Sequence, residues 1–159
     1  MTPDIMSVLI GILYKSVKSK PEISNKLLMS IKQTGVINKY SEKGPTYCKV
    51  LEGLLKMTKF ALKTTKLQDK EIKDLVISEV YPKYNENALI LAESIKIVSL
   101  SCETGDQDVC KLLLKYCYSN SKEIVRVAVA KNIVRHICKS VEAVEGCILL
   151  LHDEHPDIR

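Results

Sequence analysis

The chain has 159 residues, 46% of them apolar, with 5 Pro, 6 Gly, 1 Phe and no Trp. That is long enough for one domain with a real core, too apolar for disorder, and too poor in aromatics and turn formers for a sheet-rich fold. The formal net charge of +5 is mild and by itself marks solubility rather than a nucleic-acid partner.

Pro, Gly and polar clusters cut the chain into blocks of helical length. Residues 2–19 open with Thr2 at the N-cap position and Pro3 in the first turn, where a missing N–H costs nothing. The run "IMSVLIGILY" is preceded by Asp4, lacks a basic leader region and is too short to span a bilayer. A second helix runs from Pro21 to a stop at Gly35. A loop through "NKYSEKGP" leads to "TYCKVLEGLLKMTKFALKTT". Then come "QDKEIKDLVISEVYP", a turn at "KYN", and "ENALILAESIKIVSLSCET", which Gly105 ends. The short "DQDVCKLLLKYCYS", the long "SKEIVRVAVAKNIVRHICKS" and "VEAVEGCILLLH" complete eight helices joined by short loops, as antiparallel neighbours require.

Six cysteines stand at 48, 102, 110, 117, 138 and 147, without a CxxC and mostly among apolar neighbours. They read as thiols buried in a reducing compartment, which points to an intracellular (cytoplasmic or nuclear) protein without a disulfide framework.

The segments repeat. "NSKEIVR" (120–126) aligns with "DEHPDIR" (153–159), so that Val125-Arg126 falls on Ile158-Arg159 and Asn120 on Asp153. Each is preceded by a short helix with an apolar triplet, "KLLLKYC" and "CILLLHD". One repeat earlier Ala92 falls on Ala128, with Ile90 in place of the arginine. The pattern resembles the HEAT-repeat, armadillo-like family: a first helix, a polar turn, then a second helix opening with a branched apolar residue and Arg. The motif covers residues 106–159, the helix lengths and order nearly the whole chain. The resemblance implies an all-α fold, a right-handed α-solenoid of about four antiparallel helix pairs. Residues 1–159 form a single segment of it, a slice of a longer repeat protein. It also implies a role for the arginine along the seam between repeats, bonding an acid in the preceding turn. Asp153 with Arg159, and Asn120 with Arg126 as a neutral version, have that spacing. Pro156 then opens a last helix, of which Arg159 is the fourth residue.

Solenoids present the faces of their second helices. On "CKVLEGLLKMTKFALKTTK", Lys56, Lys59, Lys63 and Lys66 recur at spacings that put them in one arc, a purely basic stripe. Lys131, Arg135 and Lys139 form a second. Glu93 and Lys96 interrupt the track between them, and no aromatic residues interleave to stack bases. "HDEHPD" holds His152 and His155 beside acids but reads as a turn, so no metal is expected. His136 sits on the apolar side of its helix and reads as a packed core residue. No phosphate loop, dinucleotide fingerprint or nucleophile elbow occurs. The expectation is a non-catalytic scaffold or adaptor segment, with no cofactor, small-molecule substrate or membrane, that binds a protein partner through stacked helices. The alternative is a solenoid that grips RNA or DNA backbone with the basic stripes, as in an RNA-modification or chromosome-associated complex.

Overall fold

The structure is a computed structural model, and it describes residues 2–118 and 121–159. Among these residues there is helix and no strand. The helices are α1 (Pro3–Ser19), α2 (Ser24–Thr34), α3 (Val36–Ser41), α4 (Cys48–Thr65), α5 (Lys70–Leu75), α6 (Tyr81–Tyr84), α7 (Ala88–Ser101), α8 (Gln107–Lys115), α9 (Glu123–Ile133) and α10 (Val141–Leu151).

Local chemistry sets the boundaries. Gly35, at φ 56°, turns the chain left-handed between α2 and α3. The stretch expected as a loop from Asn38 is therefore partly helical, because Ile37 and Tyr40 find cover in the core. Between α5 and α6, Val76–Val80 form a π-helical segment, so residues 70–84 are helical without a break. Pro82 lies just beyond it; widening the ladder there accommodates a residue that has no N–H to donate. Asp69, Asn87, Asp106 and Ser140 each accept a hydrogen bond from a backbone N–H three residues on and so start α5, α7, α8 and α10. Beyond α9 the helix tightens to 3₁₀ over Val134–Lys139.

The helices pack in chain order. α1 lies on α4, α4 on α7, and α7 on α9, which makes one row. α2 and α3 back α4, α5 and the π segment back α7, and α8 packs with α10. α7 is covered on both sides, which explains why it is apolar around most of its circumference. Its Ile90, Leu91, Ile95, Ile97 and Val98 sit in the main core with Leu51, Leu55 and Leu62 of α4 and Val125, Val129 and Ile133 of α9. A smaller cluster of Ile10, Tyr40, Val50, Leu54 and Met57 joins α1, α3 and α4.

The C-terminal stretch departs from expectation. Residues 154–158 form bends and turns, and Pro156 opens no helix.

Candidate functional site

Polar contacts recur between neighbouring segments at equivalent places. Lys32 of α2 donates to Asp69, the cap of α5, at 3.1 Å. Lys73 of α5 donates to Asp106, the cap of α8, at 2.8 Å. Each aspartate thus binds a helix start with one oxygen and a lysine from the preceding segment with the other. Burial alone would raise the Asp106 pKa, but the hydrogen bonds from Lys73 and the Val109 N–H outweigh it and hold the carboxyl below its usual range.

Arg126, expected to bond the preceding turn at Asn120, has a different, acidic partner. Arg126 bonds Asp153 through Nε at 2.6 Å and Nη2 at 3.1 Å, and donates from Nη1 to the Ser121 carbonyl. Asp153 pairs back to the preceding segment's arginine rather than with Arg159, which is exposed. Asn120 lies outside the described residues.

A second buried polar knot joins α7 to the 3₁₀ turn. His136 is wholly buried; its Nδ1 accepts from the Gly105 N–H at 3.0 Å and its Nε2 lies 3.4 Å from the Ser99 hydroxyl. The neutral ring that accepts at Nδ1 carries its proton on Nε2. Burial, and secondly the Arg135 charge, push the ring pKa below the ordinary histidine value. Gly105 has φ 87°, and a Cβ there would lie 2.4 Å from the Lys139 Cβ, so only glycine fits.

The basic stripes change character once folded. Lys56 is bonded to Glu52 at 2.6 Å. Lys59 reaches across to Glu93 of α7 at 2.6 Å, and Lys96 holds the other Glu93 oxygen at 2.8 Å. The α4 stripe is therefore not purely basic: its first two lysines are neutralised, and Lys63 and Lys66 stay exposed with no ion pair among the described residues. In the second stripe, Arg135 is occupied too. It donates to the Ser99 carbonyl and, at 3.2 Å, to that of Cys102, closing the C-terminus of α7. Lys131 and Lys139 remain exposed. Sequence reasoning missed Glu52, which lies one turn before Lys56 on the same helix, and saw Glu93 only as an interruption of the track, because its contact with Lys59 joins two helices distant in sequence. It also missed the aromatic residues: packing of α1 on α4 places Tyr14 and Phe60 beside Lys18, Lys59 and Lys63 in one groove.

Compared with protein-family models, curated proteins and solved structures, the chain matches none of them.

The depression beside the α8 start gathers Lys70, Lys73, Cys102, Glu103 and Asp106. Its Lys73 and Asp106 are spent on each other, and burial pushes the Cys102 thiol up to about 11, leaving it protonated. Among the described residues no three His, Cys, Asp or Glu side chains gather as a metal requires, and no helix is long and apolar enough to cross a membrane. His152 bonds the Ile148 carbonyl and His155 meets Glu123, so the two histidines of "HDEHPD" face different partners. Two helix faces stand uncovered: Ile5, Val8, Leu9, Ile12 and Leu13 on α1, and Val141, Val144, Ile148 and Leu151 on α10.

Proposed function

We propose that this chain is a non-catalytic scaffold or adaptor segment, a right-handed α-solenoid of HEAT type that works inside the cell and presents its outer helix faces to a protein partner. The observation that carries the reading is the order of packing. Each helix of the α1, α4, α7, α9 row has its neighbour in sequence as its neighbour in space, with α2, α3, α5 and α8 behind them. Such a stack spends its polar groups on neighbours, as Lys32–Asp69, Lys73–Asp106, Lys59–Glu93 and Arg126–Asp153 do, and offers extended outer surface for binding. Catalysis needs convergent titratable groups, and in the depression beside the α8 start Lys73 and Asp106 neutralise each other while the Cys102 thiol stays protonated.

The test uses the chain as bait, carrying a photo-crosslinker on the outer face of α4, with and without ribonuclease. The reading expects one protein cross-linked in ribonuclease-resistant fashion and absent from a charge-matched control helical protein. Capture of nothing above that control removes it.

The nucleic-acid reading has one observation in its favour: Lys63, Lys66, Lys131 and Lys139 are exposed and form no ion pair among the described residues. It requires binding to generic RNA that weakens steeply with salt. A flat salt response excludes it.

A further inference from the structure

Lysines alone do not make a site, but the groove between α1 and α4 offers more than lysines. Its floor is aromatic. Tyr14 and Phe60 meet edge to face, their centroids 6.2 Å apart and their planes at 88°. Lys18, Lys59, Lys63 and Thr64 line the rest, and no carboxylate does. Lys59 is already held by Glu93. That leaves two ammonium groups on opposite walls: Lys18 from α1, 5.3 Å from the Tyr14 ring centroid, and the exposed Lys63 from α4. Neither forms an ion pair among the described residues. An occupant that complements this groove has an apolar body and negative charge on both flanks.

We propose that the groove is a docking site for an acidic peptide segment of a protein partner. A bulky apolar side chain lies against Tyr14 and Phe60, with flanking Asp or Glu carboxylates at Lys18 and Lys63. The proposal rests on the scaffold reading and names the chemistry of its partner. Two features favour a peptide over a nucleic-acid strand. A base needs a flat open ring face, whereas here the rings stand at right angles and Lys18 already lies over Tyr14. A strand also needs a continuing basic track, and the next helix presents Glu93 with Lys96, which adds no positive charge. A short peptide needs neither.

The experiment is fluorescence anisotropy at low salt with three labelled probes: a peptide of Asp and Glu around one central Phe, the same peptide with Ser at the centre, and an oligouridylate of similar length. The Phe peptide is expected to bind, and the Ser peptide more weakly. Lys18→Glu combined with Lys63→Glu is expected to weaken the Phe peptide about tenfold, whereas Lys26→Glu on the exposed face of α2 leaves it unchanged. Both lysines are exposed, so the variants are expected to melt with the parent chain, and Lys18→Gln with Lys63→Gln should give an intermediate loss. Equal binding of the two peptides, indifference to the paired reversal, tighter binding of the oligouridylate, or no peptide binding at all would each overturn the proposal. If the groove fails while a partner still cross-links elsewhere on the chain, the scaffold reading survives it. If no partner is captured at all, that reading falls on its own test.

Discussion

Arg126 and Asp153 lock together by a two-pronged grip, Nε to Oδ2 at 2.6 Å and Nη2 to Oδ1 at 3.1 Å. The side chains are 12% and 5% exposed, and Asp153 also accepts from the His155 N–H at 2.9 Å. The contact ties the turn after α10 to the start of α9. Arg126→Ala leaves a largely buried carboxylate without its cation, a loss of about 2 kcal/mol on the scale of hydrogen bonds to charged groups. Arg126→Lys keeps the charge but not the fork, and is expected to recover only part of it. Urea unfolding of the single and double variants checks this. A coupling near zero between Arg126→Ala and Asp153→Ala would show the pair to be idle.

His136 makes stability depend on pH. The fold keeps the ring neutral, with Nδ1 accepting from Gly105, and its pKa lies below that of the unfolded chain. The unfolded state therefore binds the proton first as pH falls. Stability is full above about 6.5, declines as pH drops below that value, and levels off once pH passes the native pKa. Melting temperatures at neutral pH and at mildly acidic pH should differ in the parent chain. In His136→Gln that difference should shrink, at the expense of overall stability.

Lys59 and Lys63 lie one turn apart on α4 and predict opposite behaviour. The Glu93 carboxylate, 6% exposed, is held by Lys59 and Lys96; burial alone would raise its pKa, and the two lysine hydrogen bonds reverse the sign. Lys59→Glu sets a like charge against it and is expected to cost about 3 kcal/mol, the scale of a broken buried pair. Lys63→Glu changes an exposed residue and should stay within about 0.5 kcal/mol. Equal effects in denaturant melts would mean that the Lys59–Glu93 contact contributes nothing. Binding experiments on this face accordingly need Lys63 and Lys18, not Lys59, as their reporters.

Helix existence was legible because Pro3, Gly35, Gly105 and the capping residues punctuate long apolar stretches. His136 likewise reads as core from its position on the apolar side of its helix. What pairs with what was less legible. Glu93 and Lys96 were visible as an interruption of the basic track, but that Glu93 reaches Lys59 follows only from the stacking of α4 on α7. Arg135 sits at a spacing that suits an exposed stripe, yet its guanidinium bends back to cap α7. Tyr14 lies a whole helix pair upstream of Phe60, so no window along the sequence joins them. One signal was present and unread: Asp69-x-x-Ile72, Asp106-x-x-Val109 and Ser140-x-x-Ala143 share a cap spacing, and the caps begin successive segments. The helical turn at Pro156 did not form. There Asp153 accepts from the His155 N–H, and the residues that follow turn instead, with Ile158 donating back to the His155 carbonyl.

Asp106 separates the two jobs of these caps. One oxygen accepts from the Val109 N–H at 3.1 Å, starting α8, and the other takes Lys73 at 2.8 Å. Asp106→Asn keeps an oxygen for the cap and loses the charge opposite Lys73. Asp106→Ala loses both. A cap is worth about 1 kcal/mol, and a partly exposed ion pair adds less than about 1 more. The expected order of stability is parent, then Asn, then Ala, with Lys73→Ala close to Asn. The native carboxyl is held below its usual range, so this contribution is present above the unfolded pKa of about 4 and fades as pH falls through the native value. Asn is uncharged throughout, and the gap between parent and Asn should therefore close in strong acid while the gap between Asn and Ala persists. If the parent–Asn gap is the same at neutral pH and in strong acid, the Lys73 contact is not what holds the carboxylate.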